Sequence, residues 1–313
     1  MFKIRQHTIL PEEFPEAWAS DWGEDEFGLW MAFTYKGVRQ AFRWCEPGAF
    51  LMGSPENEPE RFDDELQHQV TLTKGFWIAD TPVTQALWQV IMGNNPSEFK
   101  GDELPVETVS WDDAQAFIGK MNGLKAELKL CLPTEAQWEY ACRAGTATPF
   151  SWGEQIDSSL VNFNGNYPYN NGRKSEYRRQ TVAVKELPCN DWGLHQMHGN
   201  VWEWCQDWYG EYPSQPVIDP QGPEKGAYRV LRGGSWINNG RNCRSANRAH
   251  GVPSRRDSGF GFRLARARHA VGMSVYDQIL IRFNRVLTKS KWLPVALVTQ
   301  MDFCVKAHRL AGP

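Results

Sequence analysis

The side chains best suited to chemistry in this sequence are its thiols, imidazoles and guanidiniums. Seven cysteines are scattered along the 313 residues: Cys45, Cys131, Cys142, Cys189, Cys205, Cys243 and Cys304. No C-x-x-C occurs and the count is odd, so neither a zinc ribbon nor a dithiol redox motif is written here. Reduced and packed thiols are the expectation. His195 and His198 are three apart, a spacing that lets two imidazoles share a metal. They precede Gly199 and are read as flanking its turn. Between 236 and 256 an indole, Trp236, stands among Arg241, Arg244, Arg248, Arg255 and Arg256. Guanidinium forks beside an indole face are typical anchors of an interface. They suit an acidic protein surface or a nucleotide, unless local carboxylates such as Asp257 take them first. Glu135, Glu139, Glu203 and Arg232 lie among Trp138, Trp202, Trp204 and Trp236. If buried, such charges must be paired, and a core polar network is the expected role of Glu135, Glu139 and Arg232.

The elements that must position these groups are short. Phe33, Tyr35 and Val38 flank a hairpin turn at Lys36-Gly37, and Phe42-Arg43-Trp44 resumes the pattern. Residues 54–69 form a charged loop, followed by short strands at 70–72 and 76–78. Thr84 caps a predicted helix ended by Gly93. Ser110 caps a second, with Asp112 and Asp113 in its first turn, apolar positions Ala114, Phe117, Ile118 and Met121, and Gly123 as its stop. Thr134 caps a third behind Pro133, with Gln137 at the capping-box position. From about 145 to 265 the chain reads as turn and loop punctuated by aromatics, the kind of stretch held by ions or buried polar networks.

Composition narrows the class. The chain carries 15 Trp, 27 Gly and 19 Pro, which means bulky anchors joined by tight turns rather than a helical bundle. A net charge of −3 argues against nucleic acid as a partner. No run of about 18 apolar residues is present to span a membrane. The start, MFKIRQHTILPEEFPEAW, lacks the apolar core of a secretory signal, so a cytoplasmic location is expected. Beyond 265 the character changes: residues 266–313 hold eight Arg or Lys against Asp277 and Asp302. Val275, Ile279, Phe283 and Val286 fit one face of a basic amphipathic helix. It either packs on the domain or docks a partner.

Seven segments in order then resemble one family. They are Phe50-Leu51-Met52-Gly53-Ser54, Pro82-Val83-Thr84-Gln85, Val106–Trp111, Leu132–Glu139, His198-Gly199-Asn200-Val201-Trp202-Glu203-Trp204, Arg229–Trp236 and Gly261-Phe262-Arg263. Over about residues 42–265 the chain resembles the formylglycine-generating enzyme, or sulfatase-modifying factor, family. The resemblance implies an α+β, C-type-lectin-like fold with little regular structure. It divides the chain into an N-terminal extension with a strand hairpin (1–41), the family domain (42–265) and a basic C-terminal extension (266–313). It also implies structural calcium. Gln196, Gly199, Val201 and Glu203 match the positions of one calcium site, and Asn162, Phe163 and Glu176, with Arg178, map to a second.

The resemblance breaks at the catalytic metal. The founding enzymes oxidise a sulfatase cysteine and bind copper(I) through two cysteines separated by four residues, near the Gly-Gly-Ser strand. Here Gly234 to Phe262 holds one cysteine, Cys243, and Trp236-Ile237-Asn238-Asn239 stands where the first should fall. Copper is therefore not expected, and Cys243 is left as a lone thiol and a weak catalytic candidate. The H-x3-H-x-E iron pattern of the related sulfoxide-forming enzymes is not present either. A second resemblance, over 228–262, is to the variable region of diversity-generating retroelement proteins, which use this fold to display mutable loop residues. That reading makes Trp236, Ile237, Asn238, Asn239, Arg241, Asn242, Arg244, Asn247, Arg248, His250, Arg255 and Arg256 a ligand face for a protein or small molecule. The expectation is thus a copper-less binding module. The other reading is a metal- or thiol-dependent oxidoreductase acting on a cysteine-containing substrate.

Overall fold

The computed structural model describes residues 5, 7–267 and 270–271. The chain opens with β1 (Leu10–Pro11), β2 (Asp21–Asp25), β3 (Gly28–Tyr35) and β4 (Val38–Cys45), then β5 (Gly48–Met52), β6 (His68–Leu72) and β7 (Phe76–Ala79). Three helices follow: α1 (Gln85–Met92), α2 (Trp111–Leu124) and α3 (Glu135–Arg143). Short strands close it: β8 (Trp202–Trp208), β9 (Val217–Ile218), β10 (Arg229–Arg232), β11 (Arg248–Gly251), β12 (Phe260–Phe262) and β13 (Ala265–Ala267).

Local chemistry explains the ends of these elements. Tyr35 pairs with Val38, and Lys36 and Gly37 both take positive φ (46° and 82°), which is the two-residue turn that matches strand twist. Thr84, Ser110 and Thr134 each accept a backbone N–H in the first turn of their helices, the last two in full capping boxes with Asp113 and Gln137. α1 stops at left-handed Gly93, as expected. α2 runs through Gly123 instead and ends at Lys125, whose N–H still reaches the Met121 carbonyl.

A five-stranded sheet, in the order β13-β7-β4-β3-β2, carries the largest core against α1 and α2. Trp18, Leu29, Met31 and Phe33 share that core with Phe42, Trp44 and Trp77. A boundary at 41/42 is therefore corrected. It would cut within β4, and the hairpin of the first 41 residues is part of the same sheet. A four-stranded sheet, β11-β10-β8-β12, carries the second half, with β12 parallel to β8. A three-stranded sheet is ordered β5-β6-β9. The stretch from 145 to 265 is indeed mostly turns around β8 to β12. The helix read at Val275–Val286 lies outside the described residues.

Candidate functional site

After β10 the chain turns at Gly233 and Gly234, both at positive φ, and enters the segment 235–243. A Cβ on Gly234 would lie 2.7 Å from the Cys243 sulfur, so only glycine lets the two ends of this segment close. Asn238 sits five residues before Cys243. Its Oδ1 accepts from Trp202 Nε1 at 2.9 Å and from the Ser235 hydroxyl at 2.5 Å. Its carbonyl accepts from the Asn164 N–H. Asn238 is therefore a fixed bracket between β8 and the segment. Cys243 is fully buried, and burial alone pushes its thiol well above the ordinary range. A second thiolate is lacking and the first is disfavoured, so the copper(I) arrangement does not fit these residues.

The surface around this bracket is aromatic and amide-rich. The Trp236 ring lies edge-on to Phe99 and stacks on Tyr177, while its indole N–H donates to the Ser258 carbonyl. Ile237 is 49% exposed and Tyr167 59%; Tyr167 is tied to the segment by the Gly240 N–H. Asn239 is exposed, and Asn242 and Arg241 are partly so. The Arg241 guanidinium lies 3.9 Å over Phe62.

Four members of the expected ligand face are corrected. Trp236 is buried, its ring covered by Phe99 and Tyr177 and its N–H spent on Ser258. Arg244 is buried and splits its fork between Glu58 (2.6 Å) and Glu65 (2.7 and 2.8 Å). Asn247 is buried against Glu65. Arg248 is buried on Glu135 (2.7 and 2.9 Å) and over Tyr212. Desolvated guanidiniums need carboxylates, and these last three side chains tie the segment to the 54–65 loop and to α3 rather than to a ligand. His250 is exposed beside the rings of Tyr209 and Tyr228. Arg255 pairs with Asp257, as foreseen, but Arg256 forks onto Asp113 of α2 (2.7 and 2.8 Å). The core network around the third helix is as read: Arg232 meets Glu135 and Glu139.

The same geometry bears on the two calcium sets. Glu203 is fully buried, and its carboxylate takes Arg263 through both oxygens (2.8 and 2.9 Å) and Trp138 Nε1 (2.7 Å). The same Arg263 Nη2 reaches the His195 carbonyl, so a fixed cation stands between Glu203 and the loop that carries Gln196. Gln196 Oε1 accepts from Asn200, and the Gly199 carbonyl accepts from the Val201 N–H. With its one negative charge matched, the set Gln196, Gly199, Val201 and Glu203 does not fit a divalent ion. In the second set, Asn162 Oδ1 is buried without a partner, which fits an ion or water. Phe163 is buried beside it in sequence, and the exposed Glu176 carboxylate stands 3.5 Å from Arg178.

One residue that joins these loops was missed. Asn200, at φ 65°, bonds Asn162, Gln196 and both backbone groups of Val182. Its place in a Gly-Asn pair after His198 was the available signal. His195 and His198 do not converge: His195 Nδ1 faces the Leu187 carbonyl and His198 Nδ1 the Cys243 carbonyl.

With this geometry in hand, the chain can be placed among known proteins. The sulfatase-modifying factor enzyme 1-like domain (FGE-sulfatase) matches residues 36–268, and the chain belongs to that family. It is 38% identical over 171 residues to the formylglycine-generating enzyme of Streptomyces coelicolor, covering 51% of this chain and 52% of that protein. It is 39% identical over 170 residues to the serine/threonine-protein kinase pkn1 of Chlamydia pneumoniae, covering 52% of this chain and 24% of that protein. The chain thus spans from a quarter to about half the length of these relatives. Among solved structures, Treponema denticola variable protein 1 aligns with a TM-score of 0.65 at 28% identity, over 76% of this chain and 98% of that one. PvdO from Pseudomonas aeruginosa aligns at 0.60 and 27% identity, over 72% and 94%. The fold is the α+β, C-type-lectin-like fold of this family.

Proposed function

We propose that this chain is a family member without the copper(I) pair, acting as a binding module. Its ligand face is formed by Ile237, Asn238, Asn239, Arg241 and Asn242, with Tyr167 and Tyr177 beside them and the buried Trp236 ring beneath. The observation that carries this is Asn238. It occupies the position five residues before Cys243, and its amide oxygen is held by Trp202 and Ser235. With Arg255 and Arg256 engaged by Asp257 and Asp113, the face offers aromatic rings, an isoleucine and amides. A protein surface with apolar and hydrogen-bonding groups is the fitting partner. Copper(I) titration with oxygen-uptake measurement tests the reading. No stoichiometric copper binding is expected in the natural protein, and Asn238→Cys is expected to introduce it. Tight copper binding with oxygen consumption on a cysteine-bearing peptide would mean an oxidase instead.

The likeness to Treponema denticola variable protein 1 supports a second, more specific reading: that the face is diversified. The pattern of exposure suits it. Ile237, Asn239 and His250 point outward from a frame whose Arg232, Arg244 and Arg248 are buried. Sequencing the DNA around the gene decides it. A near-copy of codons 228–262, differing at template adenines and lying beside a reverse transcriptase, is expected; its absence removes the diversified reading and leaves a fixed face.

A further inference from the structure

A cavity of about 600 Å³ opens between the turn at 146–153 and the loop at 188–198, on residues that form no part of the face above. That volume is in the range of small-molecule sites. Thr146, Thr148 and Ser151 bring hydroxyls to it, Trp152 an indole and Asp191 a carboxylate, and His198 lies in its wall.

The proton inventory of this lining is one-sided. His198 Nδ1 is 2.7 Å from the Cys243 carbonyl, which can only accept, so the ring proton of the neutral imidazole is on Nδ1. Nε2 is then an acceptor, and the Ser151 hydroxyl donates to it at 3.2 Å. The Thr146 hydroxyl donates to the Arg143 carbonyl and that of Thr148 to the Phe150 carbonyl. The Trp152 indole N–H is held by the Gln155 carbonyl. The lining amides are engaged as well: Asn190 donates to the carbonyls of Ala141 and Cys142, and Gln196 gives one hydrogen to that of Ala183. What remains for a guest is lone pairs on the hydroxyls, the carboxylate of Asp191 and the indole of Trp152, which is 38% exposed; against these stand only the weak Cys189 S–H donor and the second hydrogen of the buried Gln196 amide.

Charge points the same way. The lining holds no Lys or Arg, and among the described residues no cation pairs with the exposed Asp191. His198 adds no positive charge at neutral pH, because burial holds its imidazole down to about 4. A cavity that accepts hydrogen bonds, carries one carboxylate and shows an indole favours a guest that donates and is positive.

We propose that this cavity is a binding site for a small organic cation, an alkylammonium or guanidinium compound, held by Asp191 at the rim and by the Trp152 indole. The site needs nothing from the proposed binding face and would survive its failure.

The test uses three probes of one chain length: n-butylammonium, n-butanol and butyrate. Each is titrated at neutral pH into the whole chain, with the Trp152 indole N–H followed by NMR. Saturable shifts with butylammonium, weaker ones with butanol and none with butyrate are expected. Asp191→Asn, a change at an exposed position, is expected to weaken butylammonium about tenfold, the equivalent of one charged hydrogen bond. Trp152→Leu lacks the reporter indole, so its binding is read by isothermal titration calorimetry beside the natural protein; it should weaken butylammonium too while leaving an unrelated indole resonance such as that of Trp18 in place. Equal binding of butanol, preference for butyrate, an unchanged Asp191→Asn variant, or no saturation with butylammonium would each overturn the proposal.

Discussion

Glu203 of β8 and Arg263, the residue that follows β12, meet fully buried, with two hydrogen bonds of 2.8 and 2.9 Å. Arg263 also donates to the carbonyls of Ala79 and His195, so one guanidinium joins the two large sheets and the 195–203 loop. Removing one partner strands a charge in the core. Glu203→Gln is expected to lower unfolding stability in urea by about 3–5 kcal/mol, and Arg263→Met by a similar amount. The double variant Glu203→Gln with Arg263→Met should recover part of that loss, because neither charge is then buried alone.

The thiols should react in an order set by burial. Among the described residues Cys131 and Cys189 are partly exposed, and Cys45, Cys142, Cys205 and Cys243 are buried. Burial also raises the Cys142 thiol to about 12 and Cys243 further. In a Cys304→Ser background, two thiols are expected to react promptly with a disulfide reagent at neutral pH. The other four should wait for unfolding. A Cys243 that reacts as fast as Cys189 would restore it as a catalytic candidate.

Stability should depend on pH through two buried groups of opposite sign. Burial, then the charge of Glu135, raises the Asp207 carboxyl to about 8, so between about pH 4 and 8 the folded chain keeps a proton that the unfolded chain has lost. Asp207 therefore makes stability fall as pH rises through that window. Burial lowers His198 to about 4, so between about 4 and 6.5 the unfolded chain holds the extra proton. His198 makes stability rise with pH there. The two slopes oppose each other below about 6.5, and the decline due to Asp207 stands alone above it. Melting temperatures of Asp207→Asn and of the natural protein should thus converge toward pH 4 and separate most near pH 8.

Calcium, if it stabilises the fold, should do so through Asn162 and not through Glu203. The Asn162 Oδ1 lacks a partner, whereas both Glu203 oxygens are taken by Arg263. Chelator is expected to lower the melting temperature of the natural protein and to leave Asn162→Ala unchanged. A calcium response that survives Asn162→Ala would point back to the Gln196–Glu203 loop.

What could be read in the sequence was local. The caps at Thr84, Ser110 and Thr134 and the Lys36-Gly37 turn depend on neighbours within three or four residues, and they fold as their spacing says. The ordered motifs carried the fold, and two of them, His198–Trp204 and Arg229–Trp236, pair a glycine turn with tryptophan anchors. The arginines of the 236–256 loop were not legible. Arg244 finds Glu58 across 186 residues, and Arg248 finds Glu135 across 113. Nothing in the local pattern separates these two from Arg255, which has its carboxylate two residues away. Asn200 was obscured in a similar way, since its partners come from three separate loops.

The family match begins at residue 36, but the core does not. A fragment trimmed to the matched limits would lose β2 and all of β3, and with them Trp18, Leu29, Met31 and Phe33. Phe42, which packs edge-on to Trp18 and against Phe33, would face water. At about 1.5–3 kcal/mol for each large apolar side chain, those four amount to roughly 6–12 kcal/mol. That is as large as the whole stability of a typical domain. The trimmed piece would also present the backbone of β4 as an open edge ready to pair with another copy. Its insolubility would then report where the cut was made and say nothing about the family domain itself.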